Sequence, residues 1–142
     1  MKKLLSIFLS IMLCLSFTAC KKNIVEYELA DTVLMTYSGE ELVGDFGDLS
    51  KYSLKIDMDN MTLEYCRGGK TFSATLESPV EKTSQTAYTL KWDKSPELVE
   101  GFEVFDTEFA ISSDHKEAIL YFHLRGNIQG YTVNVMLCDW WM

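Results

Sequence analysis

The chain has 142 residues, with 13 Lys and Arg against 21 Asp and Glu, two His, four Cys and a formal net charge of −8. That acidic excess argues against nucleic acid, whose phosphates demand clustered Lys and Arg, and against a face lying on anionic lipid; it suits solubility or a cationic partner. The length is that of one domain able to bury its own core.

Residues 1–20 read Met-Lys-Lys-Leu-Leu-Ser-Ile-Phe-Leu-Ser-Ile-Met-Leu-Cys-Leu-Ser-Phe-Thr-Ala-Cys. Two lysines, an apolar run from Leu4 to Phe17 and the close Phe17-Thr18-Ala19-Cys20 have the order of an export signal. The run is shorter than the roughly 20 residues that cross a bilayer core. With a cysteine directly after the small residues, the segment resembles a bacterial lipoprotein signal. The resemblance implies that residues 1–19 are removed, that Cys20 carries a thioether-linked lipid, and that the chain is held at the bacterial cell envelope. The membrane would be the outer membrane or the outer face of the plasma membrane. Residues 20–24 then form a short tether and 25–142 a single β domain. The remaining 123 residues hold 11 basic and 21 acidic side chains, a net charge near −10.

From residue 24 onward apolar residues alternate with polar ones at period two, the pattern of strands with one buried face. Val33, Met35 and Tyr37 share a phase in the first stretch, Val25 to Tyr37. Tyr52, Leu54, Ile56 and Met58 follow, then Met61, Leu63 and Tyr65, then Phe72, Ala74 and Leu76. Tyr88, Leu90 and Trp92 come next, then Phe105, Thr107, Phe109 and Ile111. Leu120, Phe122 and Leu124 precede the last run, Tyr131, Val133, Val135 and Leu137. Turn signals separate the runs: Asp59-Asn60, Arg67-Gly68-Gly69-Lys70, Ser112 to Lys116 and Gly126 to Gly130. Ser95-Pro96 through Gly101 has the ends of one helical turn, and 38–50 reads as a loop. The expected fold is all-β, an antiparallel up-and-down meander of about seven or eight strands. It closes, or nearly closes, into a small barrel because so long a sheet must protect its edges; a β-sandwich is the alternative.

Cys66 and Cys138 form an even pair in an oxidising compartment and are expected to be bridged. Their phase places both on the polar face. A bridge closing 72 positions would add about 4 kcal/mol of stability.

Ser112, Ser113, Asp114 and His115 hold the residue types of a hydrolase triad, but neighbours within a reversal point apart. Asp57 to Asn60 resembles the start of a calcium loop without its later ligands or its Gly. With two histidines and the cysteines assigned to a bridge, no zinc cluster of the usual spacing exists. No nucleophile elbow or phosphate loop is present, so neither enzyme activity nor a metal or cofactor is expected. The candidate contacts to a ligand or partner are Tyr121, His123 and Arg125 on one strand face, and the terminal pair Trp140 and Trp141, of which one should be core and the other outward.

The segment Leu63 to Phe72 resembles the Tyr-x-Cys-x-x-Gly opening of membrane-bound lysozyme inhibitors, with Tyr65 directly beside Cys66 and Gly69 three residues beyond it. Those are small β-barrel lipoproteins, often acidic. Their Ser-Gly-x-x-Tyr inhibitory loop has no counterpart here. In overall look the chain is similar to lipocalin-like lipoproteins, without their Gly-x-Trp opening. Two functions are therefore open. One is an envelope-anchored binder of a small apolar ligand inside the barrel; the other is a protein-binding lipoprotein, including an inhibitor of a lysozyme-type hydrolase.

Overall fold

The computed structural model describes residues 22–37, 41 and 47–142. Among the described residues nine strands form one antiparallel sheet: β1 (Ile24–Tyr27), β2 (Leu29–Thr36), β3 (Ser53–Asp57), β4 (Thr62–Arg67), β5 (Lys70–Glu81), β6 (Gln85–Trp92), β7 (Phe102–Ser112), β8 (Ala118–Ile128) and β9 (Tyr131–Trp141). Their order across the sheet is β1-β3-β4-β5-β6-β7-β8-β9-β2. The first and last strands in that order are consecutive in the chain, so the sheet curls into a nearly closed barrel. The single N-terminal run expected from the sequence is in fact both edges. Its first half pairs with β3 and its second with β9. Glu28, between the halves, exchanges backbone hydrogen bonds of 2.9 and 3.0 Å with Met142.

The inward phase fills the interior. Leu54, Ile56, Leu63, Tyr65, Leu76, Phe109, Ile111, Leu120, Phe122, Leu124, Val135, Leu137 and Trp141 are all buried. Tyr65 lies centrally: Phe122, Trp141, Phe72 and Trp92 stand with ring centroids 5.2, 6.0, 6.2 and 6.2 Å from it. On β2 the inward residues are Thr32 and Leu34, while Val33, Met35 and Tyr37 are on the outer face.

Connections alternate between two ends. At the near end Asn23 donates its backbone N–H to Asp59 Oδ2 at 2.9 Å. The β3–β4, β5–β6 and β7–β8 connections also lie there. The far end carries the glycine turn Gly68-Gly69, the loop from Asp93 to Gly101 and the turn Gln129-Gly130. Gly68 (φ 58°) and Gly69 (φ 82°) both need the left-handed region that a tight hairpin demands.

Three local expectations change. Positive φ in the β3–β4 turn falls on Met61 (53°); Asp57 holds that turn by accepting from the Asp59 and Asn60 amides at 3.1 and 3.0 Å. Residues 95–101 form no helical turn; Leu98 and Val99 pack instead against the core. Phe105 leaves the inward phase, because a bulge between Val104 and Asp106 inserts one extra residue opposite β8. It is exposed, whereas Phe109 and Ile111 are buried.

Candidate functional site

Period two along β9 carries Asp139 inward, between Leu137 and Trp141. It is fully buried. A buried carboxylate persists only when it is paired and hydrogen-bonded, and three elements converge to do so. Arg67, at the end of β4, donates through Nη1 to Asp139 Oδ1 and Oδ2 at 2.8 and 2.9 Å. Tyr65 donates its hydroxyl to Oδ2 at 2.7 Å, and Thr32 donates to Oδ1 at 2.5 Å. Burial first, then the Asp139 carboxylate, push the Tyr65 hydroxyl pKa well above its ordinary value. The network lies beneath the far end, where Leu34, Tyr52, Arg67, Leu98, Val99 and Leu137 border a cleft of about 310 Å3. It braces the barrel. Its charges already face one another, so it offers little to an incoming ion.

The outer face differs from an ordinary solvated barrel wall. Strand register aligns Val80, Ala87, Ala110, Ile119 and Trp140 in one apolar row across β5, β6, β7, β8 and β9. A groove of about 400 Å3 runs over Val80, Ala87, Ala110, Ile119 and Tyr121. A second, of about 330 Å3, continues over Ile119 and Trp140 to Met142. Carboxylates line both grooves: Asp106 and Glu108 the first, where Lys82 also lies, and Asp31 and Glu117 the second. The outer side of an antiparallel sheet is normally its polar side; in this row Val80 is exposed and Ala87, Ala110, Ile119 and Trp140 are half-buried.

Toward the far end of the same face, His123 sits among aromatics. Tyr37 stacks on it at 5.9 Å and Phe105 lies 6.0 Å away. Arg125 covers the Phe105 ring at 4.7 Å. His123 Nε2 is 3.0 Å from Glu108 Oε1, and Nδ1 is 2.7 Å from the Tyr37 hydroxyl.

The structure therefore brings Tyr121, His123, Arg125 and Trp140 to one outer face. Trp141 turns inward, buried edge-on to Tyr65. Cys20 lies outside the described residues. The expected Cys66–Cys138 bridge is absent: both thiols are free. Both do lie in the outward phase, but β4 and β9 are not neighbours in the sheet. The Cys66 thiol turns to the Lys51 carbonyl at 3.5 Å. The Cys138 thiol is buried beside Tyr121 and its pKa is pushed up to about 12, chiefly by burial. Ser112, Asp114 and His115 form a turn rather than a triad. Ser112 Oγ donates to Asp114 Oδ1 at 2.7 Å and accepts from the Lys116 and Glu117 amides.

Two features escaped the sequence reading. Asp139 and Arg67 continue the inward phases of β9 and β4, so the signal was present. The apolar outer row needs cross-strand register, which no single strand reveals. No protein-family model matches the chain, and neither does any curated protein or solved structure.

Proposed function

We propose that this is a lipid-anchored, non-enzymatic binding protein of the bacterial cell envelope, whose outer barrel face receives a cationic protein partner. The observation that carries the reading is the apolar row Val80, Ala87, Ala110, Ile119 and Trp140, edged by carboxylates, on a wall that solvent would otherwise keep polar. Aromatic anchors inside a charged rim are the usual anatomy of a protein interface. Acidic charge speeds encounter with a basic partner. An inhibitor of a lysozyme-type hydrolase is one form of this reading.

A small apolar ligand has less room. Tyr65, Phe72, Phe122, Trp92 and Trp141 occupy the interior, which leaves the far-end cleft beside Leu98 and Val99 as its place. The anchor supports the protein reading by geometry. A lipid on Cys20 stands two residues before the first described residue, and the described chain starts at the near end. The outer wall then rises away from the membrane.

The test places a photo-crosslinking side chain at Ile119 or Trp140, and at Glu64 on the outer wall of β4 as control, in the cells that produce the protein. Crosslinks to a basic protein from Ile119 and Trp140 but not from Glu64 are expected. Equal crosslinking from all three, or none, overturns the reading. Lysozyme left fully active by excess protein removes the inhibitor form alone. Replacing Cys20 by Ser should move the protein from the membrane to the soluble fraction; retention in the membrane removes the anchor.

A further inference from the structure

The bulge in β7 places Phe105 and Asp106 together opposite His123, and Glu108 follows two residues later on the same outer face. One donor atom each from Asp106, Glu108 and His123 lies within 4.8 Å of the other two. We propose that these three side chains form a binding site for a divalent transition-metal ion of the zinc class. The site goes beyond the partner reading and does not depend on it.

Four observations carry it. The donor set is one imidazole and two carboxylates, which suits zinc rather than calcium or magnesium. Bonds of about 2.0–2.1 Å around a tetrahedral ion put donors about 3.3–3.5 Å apart. The present spacing needs only a small rotation of the carboxylates, and both are exposed and able to turn. Asp106 Oδ1 accepts from the Thr107 amide at 2.9 Å, which orients the carboxylate and leaves Oδ2 available. Finally, the second ring nitrogen of His123 already has an outer partner. A metal-bound imidazole donates its other N–H to a neighbouring acceptor, and the Tyr37 hydroxyl stands 2.7 Å from Nδ1.

The proton balance is simple. In the neutral imidazole without metal, the carboxylate can only accept, so Nε2–H donates to Glu108 and Nδ1 is left to accept from the Tyr37 hydroxyl. With metal, Nε2 gives its lone pair to the ion, the ring proton sits on Nδ1, and the Tyr37 hydroxyl rotates to accept it. A protonated imidazole would release one proton to solvent. Two carboxylates and a neutral imidazole balance the ion's two positive charges. Solvent reaches the exposed carboxylate side and can supply the fourth ligand.

The experiment uses the purified full-length chain, stripped with chelator and titrated with Zn2+ by calorimetry and with Co2+ by visible absorption. One equivalent should bind, with a cobalt spectrum of nitrogen and oxygen ligation and no thiolate charge-transfer band. His123→Gln and Glu108→Gln should each weaken binding at least ten-fold. Tyr37→Phe, which removes only the outer partner, should weaken it about ten-fold, the lower bound for such groups. Cys66→Ser should change nothing. Melting curves identify any variant that fails to fold; Glu108, on the exposed surface, is the safeguard if His123→Gln does. No binding of Zn2+ at millimolar concentration overturns the site. Undiminished binding by folded His123→Gln, or loss of binding on Cys66→Ser, does the same.

Discussion

Asp139 is fully buried, and its partners set what a substitution there does. Arg67→Met leaves a carboxylate in the core facing two hydroxyls and no cation. Breaking a buried pair from one side costs about 3–5 kcal/mol, so denaturant unfolding should show a loss of that order. Adding Asp139→Leu should restore part of it, since the stranded charge is then gone, and the two losses should not add. Tyr65→Phe removes the hydrogen bond donated to Asp139 and the longer one accepted from Arg67, and should cost about 1–2 kcal/mol. The buried Cys138 gives the alkaline limb of stability. Its folded pKa of about 12 lies above the ordinary thiol value of 9.0. Well below pH 9 the thiol is protonated in both states and contributes no slope. Above it the unfolded chain loses the proton first, so stability falls as pH rises toward 12. Tyr27, raised from 10.0 to about 12 by burial and then by Asp114, adds to the same fall from pH 10. Cys138→Ala should flatten the portion between pH 9 and 10. An unchanged slope there means that the thiol is not the titrating group. With Cys14 and Cys20 replaced by Ser, a maleimide should label Cys66 in the native state and Cys138 only after unfolding.

The strands show where alternation suffices and where it fails. β3, β4, β6, β8 and β9 were legible because each keeps one phase from end to end, and the core depends on that phase alone. β7 was legible from Thr107 to Ile111 but not before it, where the bulge between Val104 and Asp106 moves Phe105 out of phase. Phe102 folds over Gly126 on β8, and a Cβ at that glycine would meet Phe102 Cγ and Cδ1 at 2.8 and 2.7 Å. The missing side chain on β8 thus makes room for the ring that precedes the bulge. Overpacking of this kind costs about 1–3 kcal/mol, so Gly126→Val should lower the melting temperature, and Phe102→Ala in the same chain should recover part of the loss. If Gly126→Val melts like the parent, the ring and the glycine are not coupled. The division of the first strand at Glu28 was equally hidden. Its two halves pair with β3 and β9, strands far away in sequence, and no local pattern encodes that choice. The same limit applies to the candidate site, because Tyr121, His123 and Arg125 show their shared face on one strand, whereas Asp106 and Glu108 join them only through register.

At the scale of the whole molecule, a filled interior and an apolar outer wall lead to opposite expectations for the same probes. An open lumen of the lipocalin kind would bind a fluorescent apolar dye strongly inside. A barrel packed around Tyr65 leaves a dye only the outer grooves and the far-end cleft. Ile119→Lys puts a charge in the middle of the outer row, on the strand face away from the core, so it should abolish most dye binding while the melting temperature stays within a few degrees. Phe122→Ala does the reverse. It removes a fully buried ring that faces Tyr65 and Trp92, should cost about 3–5 kcal/mol, and opens a cavity that an apolar molecule can enter, as such cavities do. Dye binding should therefore rise in Phe122→Ala even when Ile119→Lys is also present. Strong dye binding by the parent that survives Ile119→Lys would put the dye in the far-end cleft or the interior, and would favour a small apolar ligand over a partner on the outer wall.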